Sequence, residues 1–332
     1  MTTQPITPEK IMQLTGGAQA AATLGTAVQY EVFTRLERGA MTPAELATAA
    51  SIAPRGARAL LDGLVALGLV TVADGKYANS PEASTLLVEG KPASLTGMAR
   101  VSLHGMADWA KLPDAVKTGA PVMRESTDTE DLAFWHILVP AIAPLAMRAA
   151  QAVVAHLDVA RRGPLRVLDV GGGSGIYSAV LLGANREAQS TQVDWPTVNA
   201  IAKGFVAKFG VAERFHTVDG DFHTADWGSG YDVAIFSNIA HQESPAQNVE
   251  AFRKFKQALH TGGTLVVSDF VVKDDRSGPP FSLLFHGQML VGSKEGAAWR
   301  EADYRAWLTE AGFTQLRFEP TMGPSTLIYA SA

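Results

Sequence analysis

Two hydrophobic periods divide the chain. Up to about residue 162, apolar positions recur every three to four residues, and beyond it short apolar runs alternate with helical stretches. In TPAELATAA, Thr42 before Pro43 predicts a helix start, because a threonine hydroxyl accepts an orphan amide and proline already has the φ of a first helical turn. PRGARALLDGLVALGLV follows, and its Leu60, Leu61, Leu64, Leu67 and Leu69 predict a second amphipathic helix ending at Gly68. Residues 70–72, the Asp74-Gly75 turn and residues 76–78 read as a small hairpin. Helix, turn, helix and hairpin make a winged-helix unit. Residues 101–162 read as further helices, the longest through FWHILVPAIAPLAMRAAQAVVAHL, where Pro140 and Pro144 are expected to bend it. Strands at 167–170, 190–193, 215–218, 232–236 and 264–268 then alternate with helices, and 316–318 with 326–329 form a closing pair. This alternation predicts an α/β fold, a parallel sheet with helices on both faces. The expected divisions are a helical domain over 1–100, a helical linker over 101–162 and an α/β domain over 163–332.

The chemistry concentrates at residues 167–175, VLDVGGGSG: an apolar strand, Asp169, the unbroken Gly171-Gly172-Gly173, then Ser174 and Gly175 before an apolar helix. A dinucleotide loop G-x-G-x-x-G would need a glycine where Ile176 stands, so the pyrophosphate fingerprint fails. A carboxylate and bare backbone converging on one strand end suit a cationic or amine-bearing ligand better than a diphosphate. The plain alternative is a tight strand-to-helix turn found in any α/β protein. Asp194, 25 residues after Asp169, ends the next strand, where a carboxylate can accept from ribose hydroxyls or simply cap the helix opened by Pro196. Gly220-Asp221-Phe222 follows the third strand and offers an acceptor for an adenine amine and a ring to stack on the base.

Composition narrows the classes further. At 332 residues and 47% hydrophobic content the chain is long and apolar enough for two cores. A net charge of -5 and a pI near 5.9 give no electrostatic reason to expect nucleic acid or an anionic membrane as partner. The winged-helix region repeats this locally: residues 1–100 hold eight Lys or Arg against eight Asp or Glu, and the second helix offers only Arg55 and Arg58 beside Asp62. With no cysteine, disulfides, thiolate nucleophiles and thiolate metal sites are excluded. No run of 18 apolar residues and no signal-peptide pattern is read, so a cytoplasmic location is the expectation.

The stretch 167–175 resembles the first motif of the class I S-adenosylmethionine-dependent methyltransferases. Nearly the whole chain, domain order included, resembles the small-molecule O-methyltransferases with a winged-helix dimerisation domain. FSNIAHQES at 236–244, Gly262-Gly263 before TLVVSDF, Met289-Leu290 and Ala311-Gly312-Phe313 carry that likeness. The resemblance implies a Rossmann-like methyltransferase sheet behind an N-terminal, mainly helical winged-helix dimerisation domain. It implies S-adenosyl-L-methionine as cofactor, held by Asp169, Gly171, Gly172, Gly173, Asp194, Asp221, Phe222 and Ser237. It also implies methyl transfer to a hydroxyl of a small aromatic or polyketide-like molecule of secondary metabolism, by a homodimer joined through the N-terminal domain, where the apolar stretch 11–32 would bury its face. His241 falls on the family's general base, although the usual His-Asp-Trp reads His241-Gln242-Glu243 here. Asp269, at the end of the fifth strand, is the first candidate to orient that imidazole, and Glu295, in a segment whose spacing is shifted, is the second. Phe134, Trp135, His136, His286 and Met289 fall in stretches that line the acceptor pocket in the family.

Other readings compete. His241 and His286 with Glu243 or Asp269 would make a divalent-metal site for a chelating acceptor, methylated at carbon or nitrogen. A non-catalytic winged-helix regulator would show a degraded cofactor loop or a basic recognition helix, and neither is present. His104, His156, His216, His223 and His260 sit in contexts with no converging partner and read as structural or surface residues.

Overall fold

The computed structural model describes residues 7–123 and 132–332, with side chains of the second stretch described from Trp135 onward. Phe134 therefore lies outside the described side chains. Contacts divide the chain into two compact units, split between Ala107 and Asp108, later than residue 100 and well before 162.

In the first unit the helix Pro43–Ala50 begins where its sequence demands. The Thr42 hydroxyl accepts from the Glu45 amide at 3.3 Å, and the Glu45 carboxylate accepts from the Thr42 amide at 2.7 Å, a reciprocal cap. The next helix, Pro54–Ala66, buries Ala57, Leu60, Leu61 and Leu64 against Phe33 and Leu46, while Leu67 lies just past its end and is exposed. Strands β1 (Val70–Ala73) and β2 (Lys76–Asn79) pair antiparallel across Asp74 and Gly75, whose φ values of 50° and 74° are those of a primed hairpin turn. The stretch 11–32 is not one helix: Glu9–Thr15 and Gly17–Gln29 are separate, and Ile11, Met12 and Leu14 of the first are exposed.

The second unit is built on β3 (Arg166–Val170), β4 (Gln189–Asp194), β5 (Phe215–Asp219), β6 (Tyr231–Ser237), β7 (Leu259–Asp269), β8 (Thr314–Pro320) and β9 (Thr326–Ser331). They form one sheet in the order β5-β4-β3-β6-β7-β9-β8. The first five strands are parallel, as the alternation predicts, and the closing pair makes the sheet mixed, since β9 runs antiparallel to β7 and β8 antiparallel to β9. The pair β8–β9 lacks an intervening helix, and a short connection can only join antiparallel neighbours. Both faces are covered, as β6 shows by alternation: Ala234 and Phe236 join one apolar cluster with Phe252 and Phe255, Val233 and Ile235 another with Leu181 and Leu182.

The helix Leu132–His156 runs through both Pro140 and Pro144 without ending. Its segment Trp135–His156 is long and apolar enough to cross a membrane by length and composition. Ala149, Ala150 and Val153 from that segment are buried in the cluster beneath the sheet, which gives its apolar face a partner inside the protein.

Candidate active site

Strand order reverses between β3 and β6: the chain steps from β3 outward to β5, then returns to β6 on the other side. Open α/β sheets leave a crevice at the carboxyl ends of the strands at such a switch. The glycine loop after β3 and the turn after β6 flank it, close enough that a Cβ on Gly171 would stand 2.6 Å from Ile239 Cγ1. Gly171 also has φ 63°, so both space and backbone conformation require glycine there. On Gly172 a Cβ would come within 2.5 Å of Gln192 Oε1 and 2.8 Å of Asp169 Cγ. Beside Gly173 the corresponding position is open.

Asp169 is fully buried at the end of β3. Its Oδ2 accepts from Ser178 Oγ at 2.8 Å, and its Oδ1 has no partner among the described residues. Burial pushes this carboxyl up to about 6, against the pull of Ser178. Asp194, at the end of β4, accepts from the Gly173 amide at 2.9 Å and the Trp195 amide at 2.8 Å. Burial raises it to about 7, with those two amides opposing and the Asp169 charge adding. Past β5, Asp221 Oδ1 accepts from the His223 amide at 2.9 Å. The half-buried Phe222 ring lies 6.1 Å from Phe236 and 4.2 Å from His223 between centroids. Ser237, the last residue of β6, hydrogen bonds to the buried Tyr177, whose hydroxyl burial holds above its ordinary range.

These features fit S-adenosylmethionine. Carboxylates end three neighbouring parallel strands or follow them, one buried oxygen is left without a partner, and the space beside Gly173 is open.

The turn after β6 carries His241, 5% exposed, in a short 3-10 segment Ala240–Gln242. Its Nδ1 lies 2.6 Å from Oδ1 of Asp269 and its amide donates to Oδ2 at 3.0 Å. The Phe270 amide donates to the same Oδ1 at 2.7 Å. Ser237 pairs with Ser268 in register, so the residues just past β6 and at the end of β7 meet. Asp269 is buried and accepts from the imidazole, so the ring proton sits on Nδ1 and Nε2 presents a lone pair. Phe270 stacks on the His241 ring at 5.6 Å and Phe285 meets it edge-on at 4.8 Å.

Glu295, the second candidate for orienting His241, is exposed on the loop after the helix Pro280–Gly292, and the imidazole Nδ1 is taken by Asp269. Met289 is buried and His286 half-buried on that helix; Trp135 is half-buried and His136 exposed on Leu132–His156. The metal alternative also loses one of its donors. His286 Nδ1 accepts from the Ala298 amide at 3.3 Å, which leaves the proton on Nε2 and no lone pair for a cation. Among the described residues no group of three His, Asp or Glu side chains converges as metal ligands.

Among the histidines read as unpartnered, His156, His223 and His260 have partners in the structure. His156 Nδ1 lies 3.2 Å from Glu319 with its ring stacked on Tyr329, and His260 Nε2 lies 2.8 Å from Asp232. His223 Nε2 lies 3.3 Å from Glu243 Oε2, too oblique for a good hydrogen bond but close enough that Glu243 raises its pKa. Sequence reasoning also missed the residues that shape the turn carrying His241. Asn248 and Trp299 both donate to the Ala240 carbonyl, at 2.9 and 3.2 Å. Tyr304, fully buried, has its hydroxyl held well above the usual range by burial, the Asp269 charge and a hydrogen bond to Asp269. One signal was available: Ser244-x-x-Gln247 is a capping box that fixes the helix Pro245–Ala258 immediately after the turn.

The O-methyltransferase domain family matches residues 143–314, and the O-methyltransferase dimerisation domain family matches residues 12–89. The chain is 31% identical to the 3-hydroxy-5-methyl-1-naphthoate 3-O-methyltransferase of Streptomyces sahachiroi, over 93% of this chain and 90% of that protein. It is 32% identical to the tetracenomycin polyketide synthesis 8-O-methyl transferase TcmO of Streptomyces glaucescens, over 96% and 95%. Human N-acetylserotonin methyltransferase, solved in complex with S-adenosylmethionine, shares the fold with a TM-score of 0.87 at 23% identity, covering 100% of this chain and 99% of that one. The chain belongs to the O-methyltransferase family and carries its dimerisation domain. It is an S-adenosylmethionine-dependent methyltransferase.

Proposed function

We propose that this enzyme methylates a hydroxyl of a small aromatic or polyketide-like secondary metabolite, with His241 as general base and Asp269 as its orienting residue. The observation that carries the reading is the 2.6 Å contact between His241 Nδ1 and a buried carboxylate on the adjacent strand end. When bound, S-adenosylmethionine supplies an electrophilic methyl group on a sulfonium. The chain's own residues position the acceptor and manage one proton. His241 Nε2 takes the hydroxyl proton as the oxygen becomes the nucleophile, and Asp269 stabilises the imidazolium that forms. Phe270, Phe281 and Phe285, with neighbouring centroids 4.6 and 5.0 Å apart, give this proton transfer an apolar wall. Asp169, Asp194, Asp221 and Ser237 are assigned to the cofactor. The winged-helix unit is assigned to a homodimer, which the exposed Ile11, Met12 and Leu14 and the dimerisation-domain match favour; a monomer by light scattering at micromolar concentration would sink that part. The net charge of -5 speaks against a nucleic-acid partner, and a cytoplasmic setting is part of the same proposal.

The test is incubation with S-adenosylmethionine and a panel of phenolic and polyketide-type aromatics, with products mapped by mass spectrometry and NMR. Methyl ethers are expected. Products methylated solely at carbon or nitrogen overturn the reading.

The cofactor assignment has its own check. Asp194→Ala is expected to weaken S-adenosylhomocysteine binding about tenfold by calorimetry, the worth of hydrogen bonds to a charged acceptor. The ionised carboxylate is the better acceptor for ribose hydroxyls, and burial places the free group at about 7. Bound hydroxyls would lower that pKa, so affinity is expected to rise as pH climbs through about 7 and to fall below it. Asp194→Asn should remove this slope. Unchanged affinity in Asp194→Ala takes the residue out of the cofactor site.

A further inference from the structure

Residues 293–298 form a strap that bonds to the main chain of His241 and to the ring of His286. Ser293 Oγ donates to the Gln242 carbonyl at 3.3 Å, and the Ala297 amide donates to the His241 carbonyl at 2.8 Å. The very next amide, that of Ala298, donates to His286 Nδ1 at 3.3 Å. Gly296 permits the approach, since a Cβ there would stand 2.5 Å from the His241 carbonyl oxygen. On the other side His286 follows Phe285, whose ring meets that of His241 at 4.8 Å. One amide of the strap therefore holds the His241 main chain and the next holds the His286 ring, while Phe285, which meets the His241 ring, and His286 are successive residues of one helix.

The two rings are fixed in opposite tautomers. His241 donates from Nδ1 to Asp269, which leaves Nε2 an acceptor. His286 accepts at Nδ1 from a peptide N–H, so its one proton is on Nε2, a donor with no partner among the described residues. An acceptor nitrogen and a donor nitrogen presented to one ligand would be complementary to a hydroxyl beside an oxygen that accepts. We infer that His286 is a specificity-determining residue that donates from Nε2 to an oxygen neighbouring the methylated hydroxyl, so that the favoured acceptors are aromatic rings with a hydroxyl flanked by a carbonyl or carboxylate. This rests on the hydroxyl-methylation reading above. It also accounts for a polar, half-buried side chain on a helix whose neighbours Phe281 and Phe285 are aromatic. An amide on the strap holds the ring in place, and only its distal nitrogen remains to recognise a ligand.

The probes are 3-hydroxy-2-naphthoate and 2-naphthol, which differ by the flanking oxygen, titrated calorimetrically into the intact protein saturated with S-adenosylhomocysteine. The wild type is expected to prefer the hydroxynaphthoate about tenfold, the worth of one hydrogen bond to a charged acceptor. His286→Phe, which keeps a ring and removes the donor, should bring the ratio to about one with S-adenosylhomocysteine affinity unchanged. His286→Gln should restore part of the preference, because its amide oxygen can take the Ala298 N–H while its nitrogen donates. A wild type that does not distinguish the probes, binding neither included, overturns the inference, as does a ratio that survives in His286→Phe. Failure of the methyltransfer reading looks different: products of the acceptor panel carry no methyl ether, whatever the probe ratio.

Discussion

His241→Ala is expected to lower kcat about 10²–10⁴-fold with a phenolic acceptor, the range general-base catalysis supplies, and to leave S-adenosylhomocysteine affinity unchanged. The two effects separate because of where the ring lies. Its partners are Asp269, Phe270 and Phe285, whereas the glycine loop and Asp194 belong to other strand ends. The backbone of the turn should survive, since the His241 amide still donates to Asp269 and its carbonyl still accepts from Ala297. A loss of kcat without loss of cofactor affinity is therefore chemical and not a collapse of the site. An acceptor that is already ionised needs no base, so the deficit should shrink for phenols of low pKa. Near-full kcat with a phenol of ordinary pKa would mean that proximity and orientation alone drive the reaction.

The cofactor side of this site was legible in the sequence because its determinants are local. A strand, an acid and glycines at positive φ sit within one short stretch, and the failure of the third dinucleotide glycine at Ile176 already separated the ligand classes. Asp194 could be read the same way, as an acid ending an apolar strand. What was not legible is which strands stand side by side. His241 and Asp269 are 28 residues apart, and their meeting depends on β6 and β7 being parallel neighbours in register. His260 reaches Asp232 over the same separation between the same two strands, a pairing that composition and spacing could not reveal. Glu295 illustrates the converse: family spacing pointed to an acid near the C-terminal helix, but the chain places an exposed glutamate there and uses the neighbouring amides of Ala297 and Ala298 instead. The antiparallel edge was missed for a similar reason, since a closing pair of short runs carries no sign of its direction until the connection between them is known. The tautomer of His286 lies furthest from the sequence, because it is set by a backbone amide and not by any side chain.

Asp269→Asn should cost nearly as much kcat as removing His241, and for a reason that geometry dictates. Asp269 Oδ1 accepts from both His241 Nδ1 and the Phe270 amide, Oδ2 accepts from the His241 amide, and the Tyr304 hydroxyl also hydrogen bonds to the carboxylate, so four donors face two oxygens. An asparagine has one oxygen and one NH2. If the oxygen stays toward His241 Nδ1, the NH2 confronts the His241 amide, donor against donor, and the turn must shift. If it flips, the imidazole must accept at Nδ1, its proton moves to Nε2, and the base is lost. Either way the carboxylate charge that stabilises the imidazolium is gone. Leaving a buried donor unsatisfied also costs about 1–3 kcal/mol of stability, readable as a lower denaturation midpoint. Because base and orienting residue act as a unit, the double variant His241→Ala with Asp269→Asn is expected to be no slower than about the worse single one. A single Asp269→Asn variant that lost stability yet kept kcat within a few fold would reduce Asp269 to a purely structural residue, and with it would go the claim that a fixed tautomer makes His241 the base.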